Sequence, residues 1–140
     1  MRWQVVSSIL LLSCVIQLHA TEAELKPHLL KSGAVIYPKS QGEVSIPASP
    51  NGKSYFIGYR TNKELSDSKT CLSEAMEYWE ELRPTVEKVK GVTLVVIQPE
   101  RPVPGLSGES VLGFRQFKVH RNSDGSWAWD SNTSAAPVQN

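Results

Sequence analysis

Residues 66–89, SDSKTCLSEAMEYWEELRPTVEKV, decide the fold. Within them Leu72, Ala75, Met76, Trp79, Leu82, Val86 and Val89 recur at steps of three and four, which lines them along one stripe of an α-helix. Burying side chains as large as Leu72, Met76, Trp79 and Leu82 contributes about 1.5 to 3 kcal/mol each before entropy is counted, more than helix propensity supplies. The helix therefore needs a sheet beneath it. Ser66, Asp67 or Ser68 can accept a hydrogen bond from the first free backbone amides. Pro84 interrupts the pattern without ending it, because the stripe runs on to Val89, and this predicts a kink rather than a restart. Glu74, Glu77, Glu80, Glu81, Glu87 and Lys88 fall on the opposite side, where a solvated face is expected.

Outward from the helix the chain reads as strands. Gly91 stops the helix, and Val92 to Ile97 is an almost unbroken apolar run, as in an interior strand covered on both faces. Before the helix, Ser54 to Arg60 alternates Tyr55, Ile57 and Tyr59 against Phe56 and Gly58. Ser49-Pro50-Asn51-Gly52 has turn chemistry that would pair this strand with Val44 to Ile46. Ala34 to Tyr37 reads as a further short strand followed by a turn region from Pro38 to Gly42, and Leu25, Leu29 and Leu30 have the spacing of a short helix.

After the interior strand, Pro99 to Ser110 is rich in proline and glycine and reads as a long irregular loop, the first candidate surface for contacts. Val111 to His120 and Ser126 to Asp130 form the last two strands. A three-residue loop with Gly125 in the left-handed region sets Val119 opposite Trp129, Arg121 opposite Trp127 and Lys118 opposite Asp130. That register gathers Phe117, Val119, Trp127 and Trp129 on one face, whereas a one-residue slip would scatter them.

The fold class expected is α+β: a mainly antiparallel sheet of five to six strands with one long helix across a face. Phe56, Val95 or Val96, Leu112 and Phe114 suggest that the other face is not fully polar. The Thr21 to Ile46 segment is the simplest cover for it; a second copy or an apolar ligand is the sharper alternative. With the helix in mid-chain, the element order fits neither a cystatin-like nor a nuclear-transport-factor-like sheet.

Length and composition suit a single domain, with 140 residues and mixed charge. Residues 1–20 read as a cleaved secretory signal: Arg2, an apolar run from Val5 to Leu18, and small Ala20 at the cut. The run is too short and too interrupted for a spanning helix, so no stable membrane insertion is expected after cleavage. Lipidation at Cys14 is the lesser alternative. The single domain would then cover 21–130, with 131–140 a flexible polar tail, and the destination would be periplasmic or extracellular. Cleavage leaves 14 basic against 14 acidic residues, a balance that gives no support for nucleic acid as a partner.

Chemistry-bearing residues are few. Once Cys14 is removed, Cys71 stands alone, so no intramolecular disulfide is available. At the start of the helix its thiol would gain nucleophilicity from the helix dipole, the basis of a thiol-dependent enzyme or redox reading. The simpler reading is a small apolar residue packed beside Leu72 and Ala75. His28 and His120 sit in unrelated contexts without metal-ligand spacing, and no cofactor motif is present. Tyr55, Tyr59, Trp79, Trp127 and Trp129 could line a ligand cleft or be the core under the helix. Asn132-Thr133-Ser134 fits a glycosylation acceptor.

The leading expectation is an exported, non-enzymatic domain that binds an as yet unidentified protein or small ligand. A thiol enzyme using Cys71 and a structural subunit of an envelope or extracellular assembly, dimerising through the uncovered sheet face, are its rivals.

Overall fold

A computed structural model describes residues 25–45 and 52–130. The signal, the lipidation site, most of the Ser49 to Gly52 turn, the 131–140 tail and the glycosylation acceptor lie outside the described residues. In chain order the elements are β1 (His28–Leu29), β2 (Val35–Val44), β3 (Lys53–Thr61), α1 (Ser68–Glu87), β4 (Val92–Pro104), β5 (Ser110–Phe114), β6 (Phe117–Arg121) and β7 (Trp127–Trp129). The strands form one curled sheet in the order β1-β2-β3-β4-β6-β7, with β5 also paired to β4. The helix packs on one face, so the fold is α+β. No helix among the described residues is long and apolar enough to cross a membrane.

The sheet is antiparallel except for β3 and β4, which are parallel and joined by the helix. Two strands running the same way need a long crossover, and α1 is that crossover. Its buried face sets Cys71, Ala75, Tyr78, Trp79 and Val86 against Tyr55, Ile57 and Tyr59 of β3, Val95 and Ile97 of β4, and Phe117 and Val119 of β6. Neighbours in the strands point away from the helix, pairing Phe56 with Val96, Pro102 with Leu112 and Glu100 with Phe114. That outer face is mixed in character. Lys39 Nζ donates to Glu100 at 2.9 Å, Gln98 to Glu100 at 2.7 Å and Gln116 to Gln98 at 2.9 Å.

Four local expectations change. The helix stripe is rotated: Cys71, Glu74 and Tyr78 are buried, whereas Met76 is 42% exposed. Hydropathy spacing weighs Met76 above Glu74, but Thr61 offers the carboxylate a buried partner. Pro38 to Gly42 belongs to β2, which passes a register shift between Pro38 and Ser40 instead of turning. Leu25 to Leu30 is not helical; His28 and Leu29 pair with Ile36 and Val35 across a turn in which Gly33 has φ of +91°. Finally, Pro99 to Ser110 is no irregular loop, because β4 extends to Pro104 and returns directly as β5.

The β4 to β6 ribbon explains why prolines do not break it. Glu100↔Phe114 and Ile97↔Phe117 belong to one continuous register, so Val111 to His120 follows β4 as a single line interrupted only at Arg115–Gln116. The interruption lies opposite Pro99, which has no amide to donate, although Arg115 N still donates to Pro99 O at 3.1 Å. Elsewhere the expected geometry holds. Asp67 caps α1, its side chain accepting from Thr70 N, and the helix does not restart at Pro84 but continues through it to Glu87. Val119↔Trp129 and Arg121↔Trp127 are paired, Asp130 N donates to Lys118 O, and Gly125 has φ of +87°.

Candidate functional site

The residue that most departs from its expected surroundings is Glu74. Helical periodicity carries it inward between Cys71 and Tyr78, leaving it 4% exposed. The Thr61 hydroxyl, at the end of β3, donates to Glu74 Oε1 at 2.6 Å and itself accepts from Lys63 N at 2.9 Å. Glu74 Oε2 has no hydrogen-bond partner, and the buried Tyr59 hydroxyl nearby also lacks a partner in bonding geometry. Burial pushes the Glu74 carboxyl above its usual range, and the Thr61 and Tyr59 hydroxyls oppose that rise only in part. Tyr59 is likewise raised, by burial first and then by Glu74.

Glu74 contributes to the wall of a cleft of about 390 Å³ lined also by Ser32, Gly33, Ala34, Lys63, Thr70, Ser73 and Glu77. One side is α1 and the other the β1–β2 turn. The turn is strapped to the helix by glutamates: Glu77 accepts from Ser32 N at 2.6 Å and Ser32 Oγ at 2.7 Å, and Glu81 meets His28 Nε2 at 2.5 Å. Glu87 accepts from Trp127 Nε1 at 3.1 Å. Of the side expected to be solvated, Glu74, Glu77, Glu81 and Glu87 are thus structural partners. Their partners come from β1, the β1–β2 turn, β3 and β7, 13 to 53 residues away, and helix periodicity carries no trace of them. Arg115, only 8% exposed, was also not singled out by sequence; it donates to the carbonyls of Leu65 and Ser66 and holds the approach to the helix.

Cys71 is fully buried, its thiol 3.3 Å from the Glu64 carbonyl that it donates to. Burial, with Glu74 beside it, pushes the thiol up and favours the protonated form. Tyr55, Tyr59 and Trp79 lie in the core under α1, with Trp127 and Trp129 half-buried against it. Trp79 and Trp127 meet edge to face at 5.1 Å, and Arg121 sits 5.3 Å over the Trp127 ring. The five aromatics are brought together as packing, and none of them lines the Glu74 cleft. His120 Nδ1 is 2.5 Å from Asp130 Oδ1, on a different part of the molecule from His28. Among the described residues no three His, Cys, Asp or Glu side chains are placed to hold a metal ion.

What the cleft can do chemically is bind. It offers hydroxyls from Ser32, Thr70 and Ser73, a cation from Lys63 and the carboxylate of Glu77, with Glu74 in its wall and Glu74 Oε2 buried on the Tyr59 side. The chain matches no protein-family model, no curated protein and no solved structure.

Proposed function

We propose that this chain is an exported, non-enzymatic binding domain whose small polar ligand occupies the cleft between α1 and the β1–β2 turn. The observation that carries the reading is the Glu74 carboxyl in the cleft wall, 4% exposed, whose buried Oε2 is out of bonding geometry with the Tyr59 hydroxyl beside it. A buried acceptor without a well-placed donor costs stability, and turning the Glu74 side chain toward the cleft would let a ligand's ammonium or hydroxyl group supply that donor. Lys63 and the hydroxyls of Thr70 and Ser73 give the same ligand further polar contacts. Export rests on the signal-like residues 1–20 alone.

Ethanolamine, which carries both donor types, is a suitable probe. Titrated into the 15N-labelled mature chain, it is expected to shift the amides of Ser32, Thr70, Ser73 and Glu74 together. Glu74→Gln, which removes the charge that assists the hydrogen bond, is expected to weaken binding by about tenfold. Shifts that are absent, scattered over the surface, or unchanged by Glu74→Gln would refute the reading.

A further inference from the structure

The β4–β5 arm has two edges, and they are treated differently. Hydrogen-bonded pairs in this ribbon fall on odd residues, as Gly105 N to Glu109 O and Arg115 N to Pro99 O show. Even residues of β4 and β5 therefore direct their backbone groups away from each other. On β4 those outward positions beyond the end of β3 are Pro102 and Pro104, which have no amide to offer. On β5 they are Ser110, Leu112 and Phe114, all with free donors and with no partner strand among the described residues. One edge is sealed and the other is open.

The open edge is collinear with an occupied one. β5 and β6 share one register against β4, and the outer edge of β6 carries β7. The bonds Asn122 N to Ser126 O and Asp130 N to Lys118 O show that even residues make this ladder. Continued beyond Asp130, that register would meet β5, with position 134 falling opposite Phe114, 136 opposite Leu112 and 138 opposite Ser110.

We infer that the open edge of β5 is a docking site for this chain's own residues 131–140, which extend β7 along it. The composition of the segment fits. Ser134, Ala136 and Val138 fall beside Phe114, Leu112 and Ser110 on the sheet face away from the helix, where small side chains leave room for Leu112, now 42% exposed. Pro137 falls on an odd position, whose missing amide faces outward and seals the new edge as Pro102 and Pro104 seal the other.

Amide hydrogen exchange on the mature chain and on a version ending at Asp130 tests this. Leu112 and Phe114 are expected to exchange at least about tenfold faster in the shortened chain, the worth of one ordinary hydrogen bond, while Val111 and Gly113, which face β4, stay as they were. Equal exchange in the two chains overturns the inference. So does protection that rises with protein concentration, which would assign the edge to a second copy. A crosslink provides a readout in the full chain: Leu112→Cys with Ala136→Cys is expected to close an intramolecular disulfide readily, and Leu112→Cys with Ala135→Cys, on opposite faces, is not. Equal closure of the two pairs, or of neither, contradicts the register.

Discussion

The Thr61 hydroxyl joins β3 to α1 by donating to Glu74 Oε1 at 2.6 Å inside the core. Thr61→Val keeps the shape and removes the donor, so both carboxylate oxygens are left buried without a partner. The expected cost is about 1 to 3 kcal/mol at pH 7, read as a lowered urea midpoint. Thr61→Ser retains the hydroxyl and is expected to recover most of it. Equal midpoints for the valine and serine variants would show that the bond contributes nothing.

Glu74 also gives stability a pH dependence of definite sign. Burial raises its folded pKa, so the folded chain holds this proton more tightly than the unfolded chain does. Its contribution is complete below the unfolded glutamate value of about 4.3 and is lost as pH rises through the raised folded value. Glu74→Gln cannot ionise and removes this component of the slope. Unfolding free energies measured from pH 4 to pH 8 should therefore converge toward low pH and separate toward high pH, with the glutamine variant gaining relative to the parent. Parallel curves would contradict the sign.

Cys71 is expected to react as a core thiol. Because it is fully buried and held toward its protonated form, alkylation by iodoacetamide must await opening of the helix. The folded chain is expected to react at least about a hundredfold more slowly than the chain in denaturant. Comparable rates in the two states would restore a reactive thiol to consideration.

The β6–β7 turn depends on one backbone conformation. Gly125 has φ of +87° and its amide donates to Asn122 O at 3.0 Å. Gly125→Ala is expected to cost about 1 kcal/mol, measured as a drop in thermal midpoint, whereas alanine at exposed Ser123 should be nearly neutral. A neutral Gly125→Ala would contradict the positive φ.

The β6–β7 register was legible in the sequence because Phe117, Val119, Trp127 and Trp129 share a strand parity that a one-residue slip destroys and the Gly125 turn excludes longer slips, and the pairing Val119↔Trp129 follows. The helix was legible in extent but not in rotation. Met76 and Leu72 outweigh Glu74 in hydropathy, and the hydroxyl that draws Glu74 inward comes from a strand thirteen residues away. Pro99 to Ser110 reads as a loop in the sequence because three prolines normally end strands. Pro102 and Pro104 occupy positions whose amides face outward, and Pro99 only interrupts the ladder, distinctions that need the pairing register before they can be seen. The cleft was not legible at all, since its walls come from the β1–β2 turn and α1, which are joined by Ser32 and Glu77.

The most direct measurement is the titration of Glu74 itself, followed by the side-chain carboxyl 13C shift in the mature chain with and without ethanolamine. Glu74 should titrate above the ordinary glutamate range when the cleft is empty, and ethanolamine should lower that value by pairing its ammonium with the ionised form. A Glu74 that titrates in the ordinary range and ignores the amine would contradict both its burial and the binding role of the cleft.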